Sequence, residues 1–278
     1  MIEAAYDLHV HSMPSVFPRA MDGLELVRHA DAAGMAGVML KSHYEPTALR
    51  AAMINRYSGC RAQAYGALVL NWPVGGLNIY AVQNALRAGA KIIWMPTRDS
   101  KNSLAFGNME GDFFNRPGIS ILNEKQKLLP VVYDIMDVIK EHDAALATGH
   151  LNPEESLLLC REGRKRGVRM ILTHPEFPRT LIEPEQQREL AELGVYIEKC
   201  WYNVAHNGVS VEEMARRIRL IGFERAFLST DRGQKGQPCA VSELLTFCER
   251  LSALGFTRTE IHELVHTVPG SIVGSCGM

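Results

Sequence analysis

Ala5-Tyr6-Asp7-Leu8-His9-Val10-His11-Ser12 is a short apolar run that ends in two histidines one residue apart. Read as a strand, its side chains alternate between faces, so His9 and His11 point one way and Leu8 and Val10 the other. Asp7 falls on the histidine face one step deeper, where its carboxylate can accept a hydrogen bond from a ligand imidazole. Two imidazoles side by side at the end of a strand can grip one cation. Comparable strand ends recur along the chain, and that recurrence decides the fold.

Outward from this strand, Ala5–Val10, short apolar runs alternate with helical stretches. Strands are expected at Gly37–His43, Ala64–Leu70, Lys91–Met95, Ala144–Thr148, Val168–Leu172, Val195–Lys199 and Ala226–Ser229. Between them lie a helix capped by Asp22 and ended by Gly34, one from Thr47 to Tyr57, one opened by the loop 71–78 and closed by Gly89, and others starting at Pro130 and Pro153. Glu183–Leu193 is helical, and Ser210 with Glu213 reads as a capping box opening the next helix. Eight strands alternating with helices imply βαβ units and a parallel sheet. They close most economically into a (β/α)8 TIM-type barrel, an α/β single domain over residues 1–278 with extra helices at its C-terminal end. An open doubly wound sheet is the alternative, but no Gly-x-Gly-x-x-Gly turn follows the first strand. One long inserted loop, 97–129, breaks the rhythm; it is rich in Asn, Gly and Asp, and Ile119–Lys125 reads as a small hairpin. Connections of this length are often lids or binding loops.

The 278 residues carry a net charge of −1, with 46% hydrophobic and 22% charged side chains, ordinary values for a soluble globular chain. No basic stripe suggests nucleic acid as a partner. The six cysteines (Cys60, Cys160, Cys200, Cys239, Cys248, Cys276) form no CxxC pair and read as reduced thiols of a cytoplasmic protein. No targeting segment and no membrane-spanning run is evident. The expected partner is a small-molecule substrate; a homo-oligomer is compatible with the composition but not demanded by it.

In such a barrel the site lies at the C-terminal ends of the strands. Collected there are His9 and His11 from the first strand, Lys41 and His43 from the second, His150 from the fifth, His174 from the sixth, Glu198 from the seventh and Asp231 from the eighth. Imidazoles with a carboxylate are the usual set for a divalent transition metal, zinc first and manganese, iron or cobalt behind it. Gly149 permits close backbone approach before His150. His174 precedes Pro175 and is expected to be extended. Glu198 and Lys199 must face opposite sides, with the register open. His29, His142, His206, His262 and His266 read as solvated. Arg19, Trp72 and Arg98, on loops after strand ends, are the substrate-binding candidates, with Arg179 and Trp201 similarly placed; an arginine there can clamp a carboxylate bidentately. No organic cofactor site is expected.

Asp-Leu-His-Val-His at strand one, His150, His174 and Asp231 together resemble the amidohydrolase superfamily of metal-dependent hydrolases, in a compact form without an added β-sandwich. Val268–Gly274 is similar to the short helix that follows the barrel there. The resemblance implies metal binding by His9, His11, His150 and Asp231, with His174 a ligand or a catalytic group beside Asp231. It implies hydrolysis of a small amide, lactam or ester through a metal-activated water, while related members decarboxylate or hydrate. Two departures stand out. Dinuclear members carry a bridging Lys or Glu at the end of strand four, where this chain has Trp94-Met95-Pro96-Thr97. Lys41 and His43 sit on strand two instead, and a carbamylated Lys41 there would bridge two metals. His43, and Ser12 after His-x-His, resemble the PHP phosphoesterases; but strand three ends Leu70-Asn71 without a Glu, and Asp231-Arg232-Gly233 lacks that family's histidine. PHP-type phosphoesterase is therefore the second reading, and a non-catalytic metal-stapled barrel the third.

Overall fold

The computed structural model describes residues 1–107 and 115–274. Eight parallel strands pair in sequence order: β1 (Tyr6–His11), β2 (Gly37–Lys41), β3 (Gln63–Val69), β4 (Ala90–Trp94), β5 (Ala145–Ala147), β6 (Arg169–Leu172), β7 (Tyr196–Cys200) and β8 (Ala226–Ser229). The helices between and after them are α1 (Gly23–Ala32), α2 (Ala48–Tyr57), α3 (Ile79–Arg87), α4 (Lys101–Phe106), α5 (Pro130–Glu141), α6 (Pro153–Lys165), α7 (Pro184–Glu192), α8 (Trp201–His206), α9 (Val211–Ile221), α10 (Ala240–Ala253), α11 (Arg258–His262) and α12 (Val268–Val273). The expected barrel is therefore the observed one. The sheet comes round on itself beyond the end of β8, where His11 N donates to Arg232 O at 2.7 Å and Asp231 N donates to His9 O at 2.9 Å. Among the described helices none is long and apolar enough to cross a membrane.

Alternation along the strands sorts the apolar residues into two cores. Met39, Ile92, Trp94 and Phe227 belong to an inner cluster that α12 joins through Val268 and Ile272. Val38, Leu40, Ile93 and Leu146 pack outward against the helices. The first strand departs from simple alternation. Its register against β2 shifts between Asp7 and Val10, so Leu8 joins Tyr6 in the inner cluster while Val10 packs outward. A local irregularity of this kind re-aims side chains at a sheet end, and here it leaves both histidines facing the barrel mouth.

Three local expectations change. Ser210 caps α9 by accepting from Glu213 N, but the Glu213 carboxylate accepts from Arg216 at 2.8 Å and Arg217 at 2.6 Å rather than reaching back. The small hairpin expected at 119–125 lies instead at 121–129, with Leu122 bridged antiparallel to Leu128, Asn123 N donating to Lys127 O and Leu129 N to Ile121 O, both at 2.9 Å, while Ile119 is bridged to Ser100. Residues 108–114 of that loop, and Cys276, lie outside the described residues. The short helix α8 after β7 was not expected at all.

Gly233 makes the closure of the barrel possible. Its φ is +119°, and a Cβ there would lie 1.7 Å from the carbonyl oxygen of His11. Gly89 has a similar φ of +96° with nothing within 4 Å of such a Cβ. Gly233→Ala is therefore expected to cost more than the roughly 1–3 kcal/mol of left-handed strain alone, and Gly89→Ala no more than that strain. Urea unfolding of the two variants beside the parent tests this; equal losses would show that the contact with His11 is not limiting.

Candidate metal centre

The mouth of the barrel gathers the strand-end residues. His9 Nε2 and His11 Nε2 each lie 3.1 Å from the same oxygen, Oδ1 of Asp231. Lys41 Nζ, reaching in from β2, is 2.7 Å from His9 Nε2. The His11 and His43 rings are 4.8 Å apart, those of His9 and His174 5.8 Å, and those of His150 and His174 5.0 Å. His9, His11, Lys41, His43, His150, His174 and Asp231, distant along the chain, thus stand around one space. Cys200 was not anticipated: His9, Cys200 and Asp231 each place a donor atom within 4.8 Å of the others. Its signal was present in the sequence, since Cys200 shares a strand face with Glu198.

The donor set fits a divalent transition metal. Ligand atoms about 2.0–2.1 Å from a tetrahedral ion stand about 3.3 Å apart, close to the 3.1 Å separations at Asp231 Oδ1. His9 Nδ1 is engaged with Glu198 Oε1 at 2.9 Å, which orients the ring and leaves Nε2 towards the shared space, as a ligand imidazole requires.

The supporting residues explain why these side chains stand where they do. Glu198, buried on β7, also accepts from Ser229 Oγ at 2.9 Å and from His174 N at 3.1 Å. It fills the role expected of Asp7. The Asp7 carboxylate instead accepts from His9 N at 3.2 Å and from Thr230 N and Oγ1 at 3.1 and 2.5 Å, fastening β1 to the end of β8. His43 Nδ1 is 2.9 Å from Thr97 Oγ1, which accepts from Asn71 Nδ2 at 2.7 Å. Gly149, at φ +61°, brings the chain so close to β4 that a Cβ would lie 2.3 Å from Met95 O, and His150 N donates to Pro96 O at 3.0 Å. His174 is not extended: its φ is +26°, and that of Asp231 is +52°. Non-glycine residues keep such conformations only where their surroundings enforce them; Glu198 on His174 N and His9 O on Asp231 N do so here.

Charge is divided sharply. Burial opposes a proton on His9, but the carboxylates of Asp231 and Glu198 outweigh it and push its pKa up to about 9. Burial alone would raise Asp231 and Glu198, yet the facing imidazoles hold both below the usual carboxylate range. Burial drives His11, His43 and His150 well down and His174 to about 4. Metal binding calls for neutral imidazoles beside an ionised carboxylate; His11, His43, His150 and His174 already meet that condition, and His9 would have to give up its second ring proton to the ion. Burial also lowers the Lys41 ammonium.

Above these residues opens a cavity of about 590 Å³ lined by Phe17, Arg19, Arg98, Phe177, Arg179 and Tyr202 together with the histidines. Arg19 and Arg98 thus stand where a substrate would. Trp72 does not line it: its indole donates to Pro117 O at 2.8 Å and its backbone N to Asp99 at 2.7 Å, so it straps the long connection. Trp201 likewise turns away, its indole donating to Glu243. Of the histidines expected to be solvated, His29, His142, His206 and His262 are exposed. His206 still accepts from Arg232 at 2.6 Å, and His266 is half-buried against Ala4 O at 2.6 Å.

A family model matches residues 4–198. The chain belongs to that family, DUF6282, whose function is unknown. No protein of curated function matches the sequence. Among solved structures, an amidohydrolase from Pseudomonas aeruginosa superposes with a TM-score of 0.68 at 12% identity, covering 98% of this chain and 96% of that one. An organophosphorus hydrolase from Deinococcus radiodurans gives 0.59 at 13% identity, covering 97% and 92%. The metallopeptidase dipeptidase AC gives 0.64 at 12%, covering 99% of each. At such identities the likeness is one of fold: the DUF6282 chain has a (β/α)8 barrel like that of these three hydrolases.

Glu198→Gln should weaken divalent-metal affinity by about 10–100-fold, because the amide that replaces one oxygen cannot accept from both His9 Nδ1 and His174 N. Titration of zinc against a competing chelator measures it; unchanged affinity would remove Glu198 from the centre.

Proposed function

We propose that this chain is a metal-dependent hydrolase of the amidohydrolase type, acting on a small amide, lactam or ester. The observation that supports it most is the meeting of His9 Nε2 and His11 Nε2 at one oxygen of Asp231, 3.1 Å from each. His9, His11 and Asp231 would hold the ion, zinc first and manganese, iron or cobalt behind it, with His150 and His174 completing the set and Lys41 and His43 beside it. When bound, such an ion acidifies a water towards a pKa of about 7 and polarises the electrophile. The residues do the rest. Asp231, ionised and lining the cavity, takes the proton from the attacking oxygen. Asp231 then returns that proton to the leaving group, while His174, neutral above about pH 4, donates a hydrogen bond to the developing oxyanion. Phe17 and Phe177, flanking the imidazoles, exclude water from the sides of the bond that breaks. Fold likeness to hydrolases is consistent with this reading, and the site geometry is what recommends it.

Phosphate-ester hydrolysis is the second reading, favoured by the His43 ring at 4.8 Å from His11. Against it, Arg232, the residue after Asp231, is turned away into Glu243 and His206.

The purified chain is expected to carry near-stoichiometric divalent metal. His9→Ala/His11→Ala should retain less than about a tenth of it, since two of the donors are gone. Stripping with a chelator should remove about 2.7 kcal/mol of stability where the free ion had stood at a hundred times its Kd. Elemental analysis and thermal unfolding read both; parent protein with no more metal than the double variant would end the proposal. On a panel of small amides, lactams and esters, Asp231→Asn should lower turnover about 10²–10⁴-fold. Turnover of a phosphodiester that His43→Ala abolishes would select the second reading instead.

A further inference from the structure

The walls of the cavity carry a pattern that the metal-hydrolase reading does not require. Above the imidazoles three arginines, Arg19, Arg98 and Arg179, line it. The arginines are arranged in two places. Arg19 and Arg98 stand over the same phenyl ring, that of Phe17, at 5.5 and 4.5 Å from its centroid. Arg179 stands 5.0 Å over Phe177. Phe17 lies against His43, with centroids 6.0 Å apart, and Phe177 against His174 at 5.1 Å. The row of imidazoles therefore runs between two cationic edges, one built by the loops after β1 and β4, the other by the loop after β6.

Arg19 is the most telling of the three. Its loop is fixed to the segment that carries Asp231, by Ala20 N donating to Gly233 O at 2.9 Å and by a bridge between Arg19 and Gln234. Its Nε is buried and has no hydrogen-bond partner among the described residues. A guanidinium nitrogen shut away from water without an acceptor is costly, and the Arg98 guanidinium over the same ring adds a second positive charge beside it. A chain keeps such an arrangement where something else supplies the acceptor. A planar fork of N–H donors over an aromatic ring matches an oxyanion bidentately.

We infer that the substrate is a small molecule with an oxyanion at each end of the reacting bond, anchored at one end by Arg19 beside Arg98 and at the other by Arg179. This deepens the hydrolase reading and rests on it for the position of the reacting bond, but not for the binding itself. Carboxylate and phosphate share the necessary chemistry. A carboxylate at each end is the simpler occupant of a cavity of about 590 Å³, since each phosphate is larger and more heavily charged.

The test is binding, not turnover. Isothermal titration of zinc-loaded protein, and separately of chelator-stripped protein, would use linear α,ω-dicarboxylates of graded length, the matching diamides, and a phosphate monoester. The expected result is that one length of diacid binds best with or without zinc and that its diamide does not bind. Arg19→Ala and Arg179→Ala should each weaken the diacid at least tenfold, with Arg19→Lys in between and metal content unchanged throughout. Tighter binding of the phosphate monoester, lost on Arg19→Ala, would keep the anchor and assign the oxyanion to phosphate. A diamide that binds as well as the diacid, diacid affinity unaltered in Arg19→Ala with its metal intact, or no diacid and no phosphate binding to the parent, would each overturn the inference. Absence of metal from the parent would instead remove the hydrolase reading while leaving the stripped-protein titration to decide the anchor.

Discussion

The barrel of this chain is joined end to start by two backbone hydrogen bonds, Asp231 N to His9 O and His11 N to Arg232 O. Everything at the mouth depends on that seam. Because the bonds run through main chain, register sets the backbones of His9, His11 and Asp231 side by side, and side-chain contacts such as that of Glu198 with His9 Nδ1 fix the rest. Three donors from opposite ends of the sequence are thereby held in place before any ligand arrives. The seam has a conformational cost. Asp231 takes φ +52°, and position 233 admits no side chain because His11 O occupies the space. Strain of this kind is of order 1–3 kcal/mol per residue and is sustained by the large inner and outer cores on either side.

A second layer keeps the first in position, and one strand supplies most of it. On its inner face β7 presents Glu198 to His9 Nδ1, His174 N and Ser229 Oγ. On its outer face the next residue, Lys199, is wholly buried and pairs with Glu176 and with Gln187 Oε1 at 2.6 Å. Glu176 lies two residues beyond His174, so the turn that carries this histidine is held from both sides of the same strand. Breaking either contact would leave a buried charge without its partner, a larger loss than the pair itself contributes. The left-handed φ of His174 is thus held by two contacts to consecutive residues of β7, its own N to the Glu198 carboxylate and the nearby Glu176 carboxylate to the Lys199 ammonium.

The alternation of apolar runs and helices was legible because each strand of a parallel barrel is buried on both faces and reads as a continuous apolar stretch. The histidines were legible for the same reason: an imidazole that ends such a stretch has few places to point. What could not be read were the features that depend on register or on distant neighbours. Strict alternation put Leu8 with Val10 and Asp7 beneath His9; the irregularity in β1 separates the first pair and sends Asp7 to Thr230. Nothing local distinguishes which of Glu198 and Lys199 faces inward, since both are equally polar and both are buried. Pro175 argued for an extended His174, and tertiary hydrogen bonds overrode that local preference. Trp72 sat on a loop at the correct end of the barrel, but only the folded long connection shows that its indole is bound to Pro117 O.

At the end of β4, where dinuclear amidohydrolases would offer a lysine or glutamate, the chain places Trp94, the largest of its fully buried side chains. The indole is a floor rather than a ligand: His9 lies on it at 5.8 Å between centroids and Lys41 Nζ stands 5.1 Å above it. An apolar ring of that size excludes water beneath the site and occupies the volume a β4 carboxylate would need. The amine arrives instead from β2, two strands away, and ends 2.7 Å from His9 Nε2. That nitrogen has a single lone pair. It can keep a proton facing Asp231, accept one from Lys41, or bind a cation, and it can do one of these at a time. Lys41 and a metal ion therefore compete for the same atom, and an ammonium so close to a divalent charge would be repelled in a site this poorly solvated. The Trp94 floor and the Lys41 amine are in this sense one device: the ring takes the volume of a β4 side chain, and the basic group that reaches His9 comes from β2 instead.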